Sequence, residues 1–255
     1  MPLELVTIPC LSDNYAYLVH DPESGATAVV DVPEAGPILA VLEARGWRLS
    51  DIWITHHHSD HIDGVAALRG ATGARVVGAA ADAHRLPPLD LALPEEGALT
   101  LGAAAVETFP VPGHTVGHSA FSIPSERLVF TGDSLMAAGC GRLFEGTAAQ
   151  MWASLSRLAA LEPDTRVCSG HEYTASNIRF ALTLEPGNGA LISRSERVAE
   201  ARREGRPTVP VTLSEERATN PFLRAHLPDL KAAIGLPDAT DAEAFAEIRA
   251  RKDRF

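Results

Sequence analysis

Cysteine is scarce in this chain: Cys10, Cys140 and Cys168 are the only three in 255 residues, and their spacing shows no pairing. A disulfide framework is therefore not expected, and the thiols read as reduced residues of a cytoplasmic protein. Long apolar runs are missing as well, so no membrane span is expected. Met1-Pro2-Leu3-Glu4 has neither a basic stretch nor an apolar one, so no signal peptide is expected. No internal repeat of short fixed period is visible. Positive charge is in deficit, with 22 Lys and Arg against 33 Asp and Glu and a net charge of -11. That balance argues against broad nucleic-acid binding. Apolar residues are plentiful at 45%, which suits a globular protein. The length allows one large domain and an appendage.

Histidine is where the chain is rich. Thr55-His56-His57-His58-Ser59-Asp60-His61 places four histidines and a carboxylate in seven residues, directly after the apolar run Ile52-Trp53-Ile54. Histidine is the commonest side-chain metal ligand, and carboxylates are hard oxygen ligands. In an extended segment alternate side chains share a side, so His56 and His58 can reach one ion while His57 faces away. Residues 62–68 read as helical, which puts Asp60 and His61 near a helix N-terminus and lets the turn carry them toward a second ion. A solvated His-rich loop is the competing reading; the flanking strand argues against it.

Four ligands do not complete two sites. Three further candidates each end an apolar, strand-like run: Val106 to Val111 leads to Pro112-Gly113-His114, Arg127 to Thr131 to Gly132-Asp133, and Thr165 to Cys168 to Ser169-Gly170-His171. Each candidate follows a glycine, which lets the backbone turn sharply. Taken singly, each is equally well a turn residue; the recurrence of one layout favours ligands. Cys168, three residues before His171, reads as a buried strand cysteine in preference to a ligand.

Strand-like runs are expected at 3–8, 15–20, 27–31, 52–55, 75–77, 106–111, 121–123, 128–131 and 166–169. Helices fit 37–45, 62–68 and 150–161, the first with Pro37 at its N1 position. After His171 the character changes. Residues 175–184, 190–204 and 241–252 read as helices, separated by Glu185-Pro186-Gly187-Asn188-Gly189 and a proline-bearing stretch at 206–210. The expected class is α/β (α+β), with one domain over 1–173 and a smaller, mostly helical domain over 174–255.

The motifs THHHSDHIDG at 55–64, PGHTVGH at 112–118, GDSLMAAGCGRLFEGT at 132–147 and GHEYT at 170–174 resemble the metallo-β-lactamase superfamily. Within it, the last two and the terminal Arg249-x-x-Lys252-Asp253 resemble the glyoxalase II enzymes, the hydroxyacylglutathione hydrolases. The resemblance runs from Asp13-Asn14-Tyr15 to Phe255. It implies an αββα sandwich of two mixed sheets with a C-terminal helical domain. It also implies two divalent metal ions: one held by His56, His58 and His114, the other by Asp60, His61 and His171, with Asp133 bridging both. Zinc is the expected metal, with iron or manganese as alternatives. The anionic Asp60 and Asp133 offset the repulsion between the cations and are the expected catalytic carboxylates.

The activity so implied is hydrolysis of the thioester S-D-lactoylglutathione to D-lactate and glutathione, with a hydroxide bridging the two ions as attacking group. Arg249 and Lys252 match the family's grip on the glycine carboxylate of glutathione. The end of the chain fits that role, because Arg249, Arg251, Lys252 and Arg254 are opposed only by Asp253. Arg142 stands where the family usually has Lys, Tyr173 matches, and Phe144 stands where many members have Tyr. That last change removes a hydroxyl donor and should weaken substrate affinity while sparing chemistry. His118 is a candidate for fixing a ligand imidazole. Asn177 and Arg179 lie near the same edge, with ordinary helix surface as the alternative. The expected partner is a small glutathione thioester, bound by a monomer, with no nucleic acid and no membrane. The first rival is a persulfide dioxygenase of the same superfamily, which uses one iron. A β-lactamase or nuclease on this fold, and a non-catalytic metal module, are further rivals.

Overall fold

A computed structural model describes residues 1–255. The chain forms two compact units: Met1–Pro110 with Gly117–Gly132, and Val111–Val116 with Asp133–Phe255.

The first unit opens with β1 (Glu4–Cys10), β2 (Asn14–His20), β3 (Thr27–Val30), α1 (Ala35–Arg45), β4 (Asp51–Trp53), α2 (Ser59–Ile62), α3 (Val65–Thr72), β5 (Arg75–Ala79) and β6 (Leu91–Leu93). Their strands form one mixed sheet in the order β1-β2-β3-β4-β5-β6. The β1–β2 and β2–β3 pairs are antiparallel, and β3–β4, β4–β5 and β5–β6 are parallel. Alternation sorts the strand residues onto two faces. Ala16, Leu18, Val29, Ile52 and Ile54 join Ile38 and Leu42 of α1 and Val65 and Leu68 of α3 in one apolar cluster. The opposite face meets β7 (Gly97–Leu101), β8 (Ala104–Pro110), β9 (Ser119–Ile123) and β10 (Leu128–Gly132), paired antiparallel in succession. Tyr17 packs on Phe130 with ring centroids 5.7 Å apart, and Trp53 stacks on Phe121 at 5.4 Å. β2 and β10 are buried along their whole length, as strands covered on both faces are.

The second unit contains the hairpin β11 (Leu135–Met136) and β12 (Gly139–Cys140), then α4 (Ala148–Ala159), β13 (Arg166–Ser169), α5 (Thr174–Leu184), α6 (Gly189–Arg203), β14 (Val211–Thr212), α7 (Leu213–Thr219), α8 (Pro228–Ala233) and α9 (Asp241–Arg254). β13 and β14 pair antiparallel. Thr147 and Thr240 form capping boxes with Gln150 and Glu243 at the starts of α4 and α9. An aromatic core links the helices: Phe222 packs against Phe180 of α5 at 6.2 Å and Phe245 of α9 at 5.7 Å.

Two local expectations change. The single helix expected at 62–68 is two, broken at Asp63-Gly64, because the Gly64 N–H donates to the Val32 carbonyl at 2.9 Å and so leaves the helical ladder. Helix α1 starts two residues early, so Pro37 is its third residue and not its first; the first turn tolerates proline there because its N–H has no intrahelical partner.

Candidate metal centre

In the first unit the chain leaves β4 and runs extended through Thr55 to His58 before turning into α2 at Ser59. His56 and His61 are buried and Asp60 is partly exposed. The ring of His56 lies 4.8 Å from that of His58 and 4.2 Å from that of His61. His57 turns the other way and pairs through Nδ1 with the buried Asp82 at 3.1 Å. His118 stacks on the back of the His56 ring at 4.6 Å.

Hydrogen bonds decide which nitrogen each imidazole presents. Thr55 Oγ1 donates its only proton to Asp31 Oδ2 at 2.8 Å, so it accepts from His56 Nδ1 at 3.0 Å. His56 Nε2 is then left with its lone pair. His61 Nδ1 donates to Asp31 Oδ2 at 2.9 Å, which does the same for its Nε2. The ligand atoms of Asp31, His56 and His61 lie within 4.8 Å of one another. Asp31 nevertheless acts as an orienting group, because its oxygens already accept from Thr55 N, Thr55 Oγ1 and His61. Asn14 Nδ2 donates to Asp60 Oδ2 and to the Asp60 carbonyl, both at 3.0 Å, and so fixes that carboxylate. Asp31 and Asn14 were not recognised as site residues from sequence. The visible signal for Asp31 is a carboxylate at the end of a strand; the structure adds its left-handed backbone, φ 57°.

In the second unit His114, Asp133 and His171 are buried together. Asp133 Oδ2 lies 3.3 Å from His171 Nε2 and 3.5 Å from His114 Nε2. His114 Nδ1 faces the Arg142 carbonyl at 2.9 Å. A carbonyl only accepts, so Nδ1 carries the proton and Nε2 the lone pair. The glycine before His114 is required where it stands: Gly113 has φ 146°, and an added Cβ would come 2.6 Å from Met151 Cβ.

These spacings test the fit of a metal. Two ligand atoms about 2.1 Å from a tetrahedral ion sit about 3.4 Å apart. His56 Nε2 and His58 Nδ1 are 3.2 Å apart, and His61 Nε2 and Asp60 Oδ2 are 3.6 Å apart. The Asp133 pairs fall in the same range. Imidazole lone pairs and carboxylate oxygens at that spacing suit a borderline divalent cation, so the donor set fits.

The residues expected to hold substrate also lie in the second unit. Tyr173 stacks on His171 at 4.6 Å and Phe144 lies 5.3 Å from His114, ring to ring. Arg142 and Arg179 are exposed on it. Lys252 is half-buried over Phe180 and Phe255. Burial, then the charges of Arg249, Arg179 and Arg142, push its ammonium down to about 8, with Asp253 opposing. Arg249 is buried, stacks over Phe222 and donates to the Cys140 carbonyl and to Asp253, both at 2.9 Å. Asn177 is buried and donates to the Ala137 carbonyl at 3.0 Å. All three cysteines are buried, and burial pushes their thiols up, Cys10 and Cys140 to about 11.

The metallo-β-lactamase superfamily matches residues 12–171, and the hydroxyacylglutathione hydrolase C-terminus matches residues 172–255. A hydroxyacylglutathione hydrolase of Cereibacter sphaeroides is 68% identical over 255 residues, covering 100% of both chains. The chain belongs to the hydroxyacylglutathione hydrolase family. A second relative of that name, from Ruegeria pomeroyi, is 62% identical, again over 100% of both. Solved structures show the same metallo-β-lactamase fold. BLEG-1 B3 metallo-β-lactamase has a TM-score of 0.68 at 22% identity, covering 86% of this chain and 99% of its own. ETHE1 of Myxococcus xanthus scores 0.67 at 23%, covering 98% and 90%. A protein solved in a di-iron-bound form scores 0.56 at 32%, covering 66% and 91%. The chain thus has the mixed α/β sheets and the C-terminal helices expected from the motifs.

Proposed function

We propose that this protein hydrolyses S-D-lactoylglutathione to D-lactate and glutathione. The observation that carries the proposal is full-length identity of 68% to a hydroxyacylglutathione hydrolase, on a chain whose His/Asp donors fit divalent ions. In this reading His56, His58 and His114 hold one ion, Asp60, His61 and His171 hold the other, and Asp133 serves both. Zinc suits the imidazole and carboxylate donors, and a di-iron relative supports a count of two. When bound, such ions lower the pKa of water and polarise a carbonyl.

The chain's own residues do the rest. Asp31, Thr55 and the Arg142 carbonyl keep the ligand imidazoles in one tautomer. Asp60, held by Asn14, orients the attacking water. The water gives up one proton to solvent and its oxygen adds to the thioester carbon; the C–S bond breaks, the sulfur leaves as thiolate, and the acid product loses the second proton to become lactate. A thiol is acidic enough to leave without a strong general acid. Arg142, Arg249 and Lys252 form a cationic group that suits a substrate carboxylate. Tyr173 and Phe144 supply ring surface beside the ligand histidines. Residues 1–173 are the catalytic domain and 174–255 the substrate-binding domain, acting as a monomer. Three buried thiols and the absence of any helix long and apolar enough to cross a membrane fit a cytoplasmic enzyme.

The test is loss of thioester absorbance by the metal-loaded protein, with metal content measured on the same sample. His56→Ala and Asp133→Ala should each lower turnover by at least about a hundredfold, equivalent to about 2.7 kcal/mol. Undiminished turnover in either variant would sink the ligand assignment. One iron per chain with oxygen uptake would point to a persulfide dioxygenase instead.

A further inference from the structure

The hairpin β11–β12 separates Asp133 from Arg142, whose carbonyl orients His114. It is too short to fix its own backbone, and helix-borne side chains claim its polar groups. The Ala138 N–H donates to both carboxylate oxygens of Glu216, at 3.1 and 2.9 Å. Asn220 Nδ2 donates to the carbonyls of Met136 and Gly139, at 3.2 and 2.9 Å, and lies 2.8 Å from Glu216 Oε2. Asn177 holds the Ala137 carbonyl and Arg249 the Cys140 carbonyl. Ala138 itself sits in the left-handed region, φ 54°, a conformation that a residue with a Cβ keeps only when its surroundings impose it.

Glu216 is the hub. It has 0% exposure, and Arg194, at 2%, is its counter-ion and also donates to Thr219 Oγ1 at 2.6 Å. Burying such a pair is expensive, and well-packed apolar side chains would often stabilise the same core as well or better. What apolar side chains cannot do is accept from the Ala138 N–H and from Asn220, whose amide holds the two carbonyls.

We propose that Glu216, supported by Arg194 and Asn220, is a positioning residue for the metal centre. By fixing the hairpin it sets the position of Asp133 and of the carbonyl that orients His114. Metal affinity is thereby tuned from α7. This rests on the reading of Asp133 and His114 as ligands.

The experiment uses the full chain loaded with zinc, titrated against a chromogenic chelator, with kcat and KM measured separately. Glu216→Gln keeps the shape and removes the charge; Glu216→Ala removes the grip. Zinc retention should weaken by about tenfold or more in Glu216→Gln, the loss typical of partners behind a metal ligand. Its kcat should fall while KM stays within about twofold. Should Glu216→Ala fail to fold, Glu216→Gln decides alone. A folded Glu216→Gln with parental zinc affinity and only a lowered melting temperature overturns the inference. Asp133→Ala runs beside it. If Asp133→Ala weakens zinc binding and Glu216→Gln does not, the inference alone fails. If Asp133→Ala leaves zinc binding unchanged, the ligand reading fails and the inference with it.

Discussion

Three imidazoles owe their tautomer to an oxygen on the far side of the ring: Thr55 Oγ1 behind His56, Asp31 Oδ2 behind His61, and the Arg142 carbonyl behind His114. In the neutral ring the proton then sits on that side, so the opposite nitrogen, beside His58, Asp60 and Asp133 respectively, presents its lone pair to a cation. Lys252 is perturbed in the other sense. Its folded-state pKa of about 8 lies below the ordinary 10.5, so the unfolded chain holds more protons between those two values. Its contribution to stability therefore rises with pH across that window, and the strain of holding it charged is fully present below about pH 8. If the charged form grips a substrate carboxylate, KM for the thioester should climb above about pH 8. Lys252→Arg, which stays charged, should flatten that climb. A KM–pH profile with the same slope in both proteins would remove Lys252 from substrate binding.

At the scale of elements, α9 brings both Arg249 and Lys252 to one side of the second unit, and its first turn is closed by Thr240 and Glu243. Thr240→Ala should cost about 1 kcal/mol of stability in chemical denaturation, the usual value of a lost cap. The sequence showed α4, α5, α6 and α9 because each is long enough to display a period or a cap. It did not show α7 and α8. Leu213–Thr219 is seven residues with two adjacent glutamates, too short for a pattern, and it is helical because Thr212 caps it and Glu216 is buried among partners far along the chain. Strand β7 was legible in principle, since Gly97–Leu101 alternates buried and exposed, but the preceding Pro94-Glu95-Glu96 reads as loop. The split between α2 and α3 depends on the Val32 carbonyl, which takes the Gly64 N–H and which no local pattern announces.

At the scale of the whole molecule, the buried set His56, His61, His114, Asp133 and His171 is polar material that an apolar core would not choose. A ligand that binds only the folded chain stabilises it by mass action. Stripping the protein with a chelator should therefore lower the melting temperature, and stoichiometric zinc should return it; calorimetry with and without metal reads both. An unchanged melting temperature after verified metal removal would count against a metal held by these residues.

By itself the sequence determined the family, and with it the candidate donors. The seven-residue histidine cluster and the Gly-His and Gly-Asp steps are local patterns, and so are the strand alternation and the basic C-terminus. Tertiary structure decided which ring nitrogen His56, His61 and His114 present. Asp31 stands 30 residues from His61, the Arg142 carbonyl 28 from His114, and Glu216 78 from the Ala138 N–H it holds. A hydrogen bond acts over about 3 Å of space and has no memory of chain separation. Residue type is written along the chain, while tautomer, orientation and bracing exist only once the chain has folded.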